Sequence, residues 1–378
     1  MIIASLPRPY YNKWIEVDSN ALRHNVAQIR AVIPTATRIM GVVKANAYGH
    51  NVSLVVPELV AQGITDFGVA TIAEGVYIRP FLPPQGQILI LGALSRLQYE
   101  KAIEEDLAFM VHSVTHIPLI EAMAAGLGKV AQVHLKVDTG MGRVGIHARD
   151  YREAVDQLQA SPHIQLRGIC SHLATSDNPD CPHVRAQLKL FAELRAAYSP
   201  QPGETPPLFH IANSDAIFHY PEAHHDMVRP GISLYGYGSH GAALQPVLRL
   251  QAQMTQIHDF PAGYSLGYGR TFTTARESVI AVLPLGYADG MSRRLSNQMH
   301  VLIHGQRAPI VGRISMDQCL IDLTDLDPTG ITLETPVTLI GQDGPEQVSA
   351  HDWAACIGTI SYEVLTGLGS RIPRFAKA

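Results

Sequence analysis

Short apolar or β-branched runs alternate with amphipathic stretches over the first two-thirds of the chain. Eight runs stand out, at residues 38–44, 66–70, 87–91, 107–111, 131–138, 164–170, 207–211 and 226–229. Runs this short and this apolar, bounded by turn formers, are the mark of parallel strands buried on both faces. Helical periodicity covers 19–32, 150–160 and 184–198, and the first of these opens on an Asp18/Ser19 cap. Eight strands within roughly 230 residues predict a (β/α)8 barrel, whose usual size is about 250 residues. Beyond residue 238 the rhythm changes to alternating runs, 247–257, 279–283, 301–303, 310–311 and 337–340, separated by Gly, Pro and Asp. The expected fold is therefore α/β: a TIM-type barrel over 11–238 followed by a mostly β C-terminal domain over 239–378, with residues 1–10 packing against the latter. The run 11–17 fits either domain. There is no low-complexity segment and no short repeat.

Composition narrows the class of partner. A formal charge of -4 with 16% charged residues offers no basic field to recruit nucleic acid or an anionic membrane. A small metabolite is the expected ligand. Cys170, Cys181, Cys319 and Cys356 are widely spaced and form no C-x-x-C pair, so a reducing cytoplasm fits better than a disulfide framework. The apolar N-terminal start lacks the pattern of a signal peptide, and no stretch reaches membrane-spanning length. A soluble protein is expected.

Chemistry in such barrels gathers at the C-terminal ends of the strands, and the unusual polar residues fall there. Lys44 ends the first run. Partial desolvation would lower its pKa and free the amine for Schiff-base chemistry, although position alone also fits a strand-end lysine snorkelling to water. His134, Lys136 and Asp138 share one face of the fifth run by the period of two. They form either a structural ion-pair network or part of a site, because unpaired buried charge is costly. Arg143, on the Gly-rich loop that follows, is suited to clamp an anionic oxygen. The sixth run leads to His172 and the seventh to His210, Asn213 and Ser214. Ser214 is expected to cap the next helix, whose first amides could hold phosphate. The eighth run ends in Arg229-Pro230-Gly231-Ile232, where glycine permits close backbone approach. Further on, Tyr268, Tyr287, Arg313, Met316 and Asp317 lie on Gly-rich or polar loops that, singly, read as turns. No H-E-x-x-H motif is present in the sequence and the cysteines are not paired for a metal, which argues against zinc chemistry.

In order, Val43-Lys44-Ala45-Asn46-Ala47-Tyr48-Gly49-His50, Lys136-Val137-Asp138-Thr139-Gly140-Met141-Gly142-Arg143, His210-Ile211-Ala212-Asn213-Ser214, Arg229-Pro230-Gly231, Gly267-Tyr268-Gly269-Arg270-Thr271 and Met316-Asp317 resemble the alanine racemases, over about residues 11–375. The resemblance implies a pyridoxal 5'-phosphate (PLP) isomerase of fold type III that interconverts L- and D-alanine for peptidoglycan, as a head-to-tail homodimer with composite sites. By that resemblance Lys44 is the Schiff-base lysine and Tyr268 the opposing base. Arg229 faces the ring nitrogen, and His172 bridges Arg229 to the tyrosine. Tyr48, Asn213, Ser214, Gly231, Ile232 and Tyr362 are cofactor positions. Arg143 serves the cofactor phenolic oxygen and the substrate carboxylate, and Lys136 matches a lysine often N-carboxylated to orient it. Tyr268, Met316 and Asp317 would reach the partner's site, while Tyr287, Arg293 and Arg313 resemble the substrate entrance. Asn51 stands where glycine often follows, and Ser361 where proline often precedes Tyr362-Glu363, which bears on substrate breadth. A serine or broader-specificity racemase of the same fold is the alternative, ahead of a PLP decarboxylase or a non-catalytic PLP carrier.

Overall fold

The computed structural model describes residues 8–178, 180–238 and 241–377. The described residues divide into two compact units, one built from those within 20–47 and 55–245, the other from 8–19, 48–54 and 246–377.

In the first unit eight strands pair in parallel. In sheet order they are Met227–Val228, Arg38–Val42, Asp66–Val69, Gln87–Ile90, Ala108–Val111, Ala131–Asp138, Ile164–Cys170 and Leu208–His210. The amide of Asp226 donates to Phe209 O and that of Arg229 to Ala212 O, linking last strand to first in a nearly closed barrel. Leu208–His210 and Met227–Val228 are shorter than the runs that predict them, because their last residues already turn into the loops that carry polar side chains. Gln87–Ile90 and Ala108–Val111 are buried over almost their whole length, as helices on the outside and side chains on the inside require. Met40, Leu89, Ala108, Met110, Cys170 and Met227 form one apolar cluster of this unit. The outer helices bury single stripes: Ser19–Val32 buries Ala21, Leu22, Asn25, Val26 and Ile29, and Pro182–Ala196, with proline in its first turn, buries Val184, Gln187, Leu188, Phe191 and Leu194.

The second unit is a largely antiparallel sheet. Its strands run Gln256–Phe260, Ser278–Leu283, Cys319–Asp322, Gln306–Val311, His300–Ile303, Pro336–Asp343, Leu248–Gln253, Lys13–Val17 and Arg374–Ala376, with Glu346–Val348 beside Pro336–Asp343. The run 11–17, open between domains in the sequence, belongs here. Lys13–Val17 pairs antiparallel with Leu248–Gln253 and parallel with Arg374–Ala376. This differs from a division at 11–238, since 8–19 and 48–54 group with the later residues; residues 1–7 lie outside the described residues. The single run 247–257 is two strands, because Gln253 N donates to Asn12 O while Thr255 N donates to Val282 O, so the chain changes partner between them. Helices Ala350–Ile357 and Ser361–Gly367 complete this unit. Among the described residues no helix is long and apolar enough to cross a membrane.

Candidate active site

Lys44 follows the first barrel strand and is half-buried. The four residues after it, Ala45 to Tyr48, all adopt φ near +53 to +55°, a left-handed turn that disfavours L-residues by about 1–2 kcal/mol each. Two contacts hold its start: Ala47 N donates to Val43 O at 2.8 Å, and Ala45 N donates to Glu74 Oε1 at 2.8 Å. The other Glu74 oxygen accepts from Ala70 N at 2.7 Å. Burial lowers the Lys44 pKa, Arg143 lowers it further, Glu74 raises it and Arg229 lowers it again. The net effect favours the neutral, nucleophilic amine.

Arg229 is 6% exposed, yet its partners are all neutral. Its guanidinium donates to His210 Nδ1 at 2.7 Å, Ser171 O at 2.8 Å, Ile211 O at 3.2 Å and His172 Nδ1 at 3.4 Å. A guanidinium can only donate, so both imidazoles accept through Nδ1 and carry their proton on Nε2. His210 Nε2 therefore donates to His134 Nδ1 at 2.8 Å. Burial is the largest cause that holds His210 and His172 well below the usual histidine pKa, with Arg229 next. Burial likewise pushes His134 down to about 3, helped by Arg167. The row is neutral except at its arginine end. It also needs Gly168, where a Cβ would sit 2.2 Å from His134 Nδ1.

Lys136 is 6% exposed and its Nζ has no hydrogen-bond partner among the described residues. Burial lowers its pKa to about 8, against a raising influence of Cys170, its register neighbour on the next strand. Asp138, on the same face, does not pair with it. Its carboxylate instead accepts from the amides of Gly140 at 2.9 Å, Met141 at 2.8 Å and Gly142 at 3.0 Å, which folds the loop that presents Arg143 to solvent. Of the two readings the sequence left open, the ion-pair network is not found: among the described residues Lys44, Lys136, Arg143 and Arg229 make no ion pair, so all four side chains remain available to an anion.

Ser214 does not cap its helix, contrary to expectation. Asn213 does, accepting from Ala216 N at 3.2 Å and from Ser176 Oγ at 2.8 Å. Ser214 Oγ instead receives Gly231 N at 2.9 Å, Ser233 N at 3.2 Å and Ser233 Oγ at 3.1 Å. A hydroxyl oxygen has two lone pairs, so three donors oversubscribe it. Beside them Ile232 is fully buried.

The remaining sequence-predicted residues lie in the second unit. Tyr48 is buried, with its hydroxyl pKa raised by that burial, and its ring centroid lies 6.0 Å from that of Tyr362. Arg374 binds the adjoining backbone, donating to Gly49 O at 3.1 Å and Leu368 O at 2.6 Å. Tyr268 stands 71% exposed on the short hairpin of Ser265–Leu266 and Phe272–Thr273, and with Gly267, Arg313, Ser315, Gln318, Cys319 and Leu320 it lines a cavity of about 390 Å³. The Tyr287 and Met316 loops are joined by Tyr287 N to Ser315 O and Ala288 N to Met316 O, both 3.0 Å. Both side chains are exposed. Behind them Arg371 donates to Asp317 at 2.6 Å and lies 3.5 Å from the fully buried Asp289, which Lys13 also contacts at 2.8 Å. Arg293 is exposed on the 3-10 turn Arg293–Leu295. Glu74, Asp289, Arg371 and Arg374 escaped the sequence reading. Of these only Glu74 carried a local signal, the T-x-x-E pattern from Thr71.

The alanine racemase N-terminal domain model matches residues 17–239 and the C-terminal domain model residues 247–376. An alanine racemase of Symbiobacterium thermophilum is 40% identical over 371 residues, covering 96% of each chain. Among solved structures, the alanine racemase of Streptomyces coelicolor A3(2) superposes with a TM-score of 0.89 at 35% identity, covering 97% of this chain and 98% of that one. The alanine racemase of Bartonella henselae, solved with covalently bound pyridoxal phosphate, gives 0.87 at 30% identity, with 97% and 99% covered. Matches that span both units at this identity leave one assignment: the chain belongs to the alanine racemase family.

Proposed function

We propose that the protein interconverts L- and D-alanine with pyridoxal phosphate, using Lys44 and Tyr268 as two bases. The observation that carries this reading is the gathering of Lys44, Lys136, Arg143 and Arg229 in the barrel unit without an ion-pair partner among the described residues, around an amine whose pKa burial has lowered. The residues fit the cofactor. Lys44 would supply a free amine to hold it covalently, the oversubscribed donors of Gly231 and Ser233 suit its phosphate, and Asn213 and Ile232 would adjoin it, with Tyr48 and Tyr362 further binding positions by the family resemblance. When bound, it supplies an electron sink for charge developing at the substrate Cα.

The chain's own groups do the rest. Proton removal on one face and return on the other requires two bases. Lys44 holds one proton, and Tyr268 of a second copy holds the other. Arg229, a cation that can only donate, would set positive charge beside the cofactor's ring nitrogen without offering it an exchangeable acid. Arg143 binds the substrate carboxylate. Lys136, neutral in part near pH 8, can attack carbon dioxide through its nitrogen lone pair and release one N–H proton to solvent, leaving an N-carboxylate whose negative charge would orient Arg143. His172 relays the field of Arg229 toward Tyr268, whose phenol needs nearby positive charge to act as a base. Exposed Tyr268, Tyr287 and Met316, with Asp317, Arg293 and Arg313, support a homodimer in which one copy completes the site and entrance of the other. The four free cysteines suit a reducing cytoplasm.

The test is racemisation of a panel of L-amino acids with added cofactor, read by chiral separation. Alanine turnover is expected; turnover of serine but not alanine would move the protein to the broader-specificity reading, and no turnover of either would overturn the function.

A further inference from the structure

The helix Pro182–Ala196 takes no part in the chemistry above, yet one of its side chains grips both loops that do. Gln187 is fully buried. Its Nε2 donates to His172 O at 2.9 Å and to Thr139 Oγ1 at 3.3 Å, and its Oε1 accepts from Ala174 N at 3.0 Å. Thr139 Oγ1 is in turn 2.7 Å from Ser171 Oγ. One turn earlier on the same helix, His183 Nε2 lies 2.8 Å from Gly140 O.

Strand pairing between the two segments stops at Lys136 and Cys170. Beyond that point the Arg143 loop and the His172 loop are joined by side chains, with Gln187 at the centre. A primary amide is the group for this position, since it donates twice and accepts in one plane. Glutamate would keep the acceptor for Ala174 N but lose both donors, and methionine would lose everything but volume. The geometry leaves little slack. His172 Nδ1 meets Arg229 at 3.4 Å, close to the limit of a hydrogen bond, so a shift of a few tenths of an ångström in the His172 backbone breaks it.

We propose that Gln187 is a positioning residue that fixes Arg143 and His172 relative to one another. It thereby sets the carboxylate-binding arginine and the partner of Arg229 in one frame. The proposal rests on the roles given above to Arg143 and His172.

The experiment compares cofactor-loaded wild type with Gln187→Glu, Gln187→Met, Thr139→Val and the double variant Gln187→Met/Thr139→Val. Steady-state kinetics in both directions are paired with amide deuterium exchange resolved to 139–143 and 172–174. With one hydrogen bond worth about tenfold, kcat/KM is expected to fall by up to about a hundredfold in Gln187→Glu, which loses two bonds, and by up to about a thousandfold in Gln187→Met, which loses three, through both kcat and KM. Exchange should quicken in those two segments and nowhere else in the barrel. Thr139→Val should cost less in the Gln187→Met background than in the wild type, because there it removes only the Thr139–Ser171 bond and not the Gln187–Thr139 bond as well. The proposal is overturned if both Gln187 variants keep kcat/KM within about twofold of wild type while their melting midpoints fall, or if faster exchange spreads evenly over the barrel. Gln187→Glu and Thr139→Val carry the test where Gln187→Met fails to fold. A wild-type protein that turns over no alanine would refute the proposed function, whereas the exchange pattern, which requires no turnover, would still decide the role of Gln187.

Discussion

Lys136 gives the sharpest quantitative test, because a buried lysine without a partner is a debt against stability that depends on pH. Its folded pKa is depressed from 10.5 to about 8, chiefly by burial. A depressed lysine holds its proton less well in the native state than in the unfolded one. Between pH 8 and 10.5 the unfolded chain therefore binds more protons, and stability rises with pH across that window. Below pH 8 the full penalty is present, roughly 3 kcal/mol at about 1.4 kcal/mol per pKa unit. Lys136→Met keeps the volume and removes the charge. In buffer freed of carbon dioxide it should raise the unfolding free energy by roughly 3 kcal/mol at pH 7, and the gain should shrink toward zero by pH 10.5. Urea unfolding at a series of pH values measures this directly. Bicarbonate adds a second arm: if the neutral amine takes up carbon dioxide, the wild type should be stabilised by mass action and Lys136→Met should not, with a carbamate signal in carbon NMR of the wild type alone. A stability difference flat from pH 7 to 10, or equal stabilisation of both proteins by bicarbonate, would refute the reasoning.

Tyr268→Phe should remove exchange of the Cα proton with deuterated water for one alanine enantiomer by a factor on the order of 10²–10⁴, leaving the other far less affected; equal loss for both, followed by NMR, would count against two bases. Lys44→Ala should yield no cofactor retained on the protein after borohydride reduction, and a label found on another lysine would displace Lys44 from its role. His134, with its pKa depressed to about 3, binds its proton only after unfolding between pH 6.5 and 3, so wild-type stability should fall as pH drops through that window by roughly 1.4 kcal/mol per unit from this group; His134→Leu should flatten that slope in acid-unfolding curves, and an unchanged slope would remove His134 from the account. Gly168→Ala places a methyl group 2.2 Å from His134 Nδ1 and 3.0 Å from Leu208 O, and overpacking of this kind should lower the urea unfolding free energy by about 1–3 kcal/mol together with cofactor affinity; a variant as stable as wild type would contradict the packing.

The alternation of buried runs and helical stripes carried the barrel, because period and length are local properties. Partners across strands are not local. Nothing in the string 131–138 says that Lys136 faces Cys170, or that Gly168 stands open for the His134 ring, since both follow from the pairing register, which shifts between Val133 and His134. The cap at Asn213-Ser214 was ambiguous for a related reason. Both residue types cap well, and the choice depends on Gly231 and Ser233, which reserve the Ser214 hydroxyl. Gln187 did leave a trace: it sits between Val184 and Leu188 on the buried stripe of its helix, a polar residue at a core position, which calls for a partner. In the C-terminal part the helix Ala350–Ile357 was legible as the S-x-x-D box of Ser349 and Asp352, but the alternating runs around it drew the reading toward strands. Lys13–Val17 could not be assigned at all from sequence, as one of its strand partners, Arg374–Ala376, lies at the other end of the chain.

The electrostatic design of the barrel mouth follows from which partners Arg229 does not have. A carboxylate in place of His210 would pair with the guanidinium and cancel the positive field that the proposed function assigns to Arg229. A neutral imidazole satisfies the same donor and leaves the charge intact. That imidazole must itself be prevented from protonating, and burial beside Arg229 does so. Its second nitrogen still requires an acceptor, and His134 supplies it at 2.8 Å. His134 fits only because residue 168 has no side chain. The unbalanced charge of Arg229 thus depends on two neutral rings and one missing methyl group, and among the described residues Lys44, Arg143 and Lys136 make no ion pair either. A cluster of like charges of this kind raises the free energy of the empty protein and is relieved when an anionic ligand arrives, so cofactor binding and folding stability must rise together.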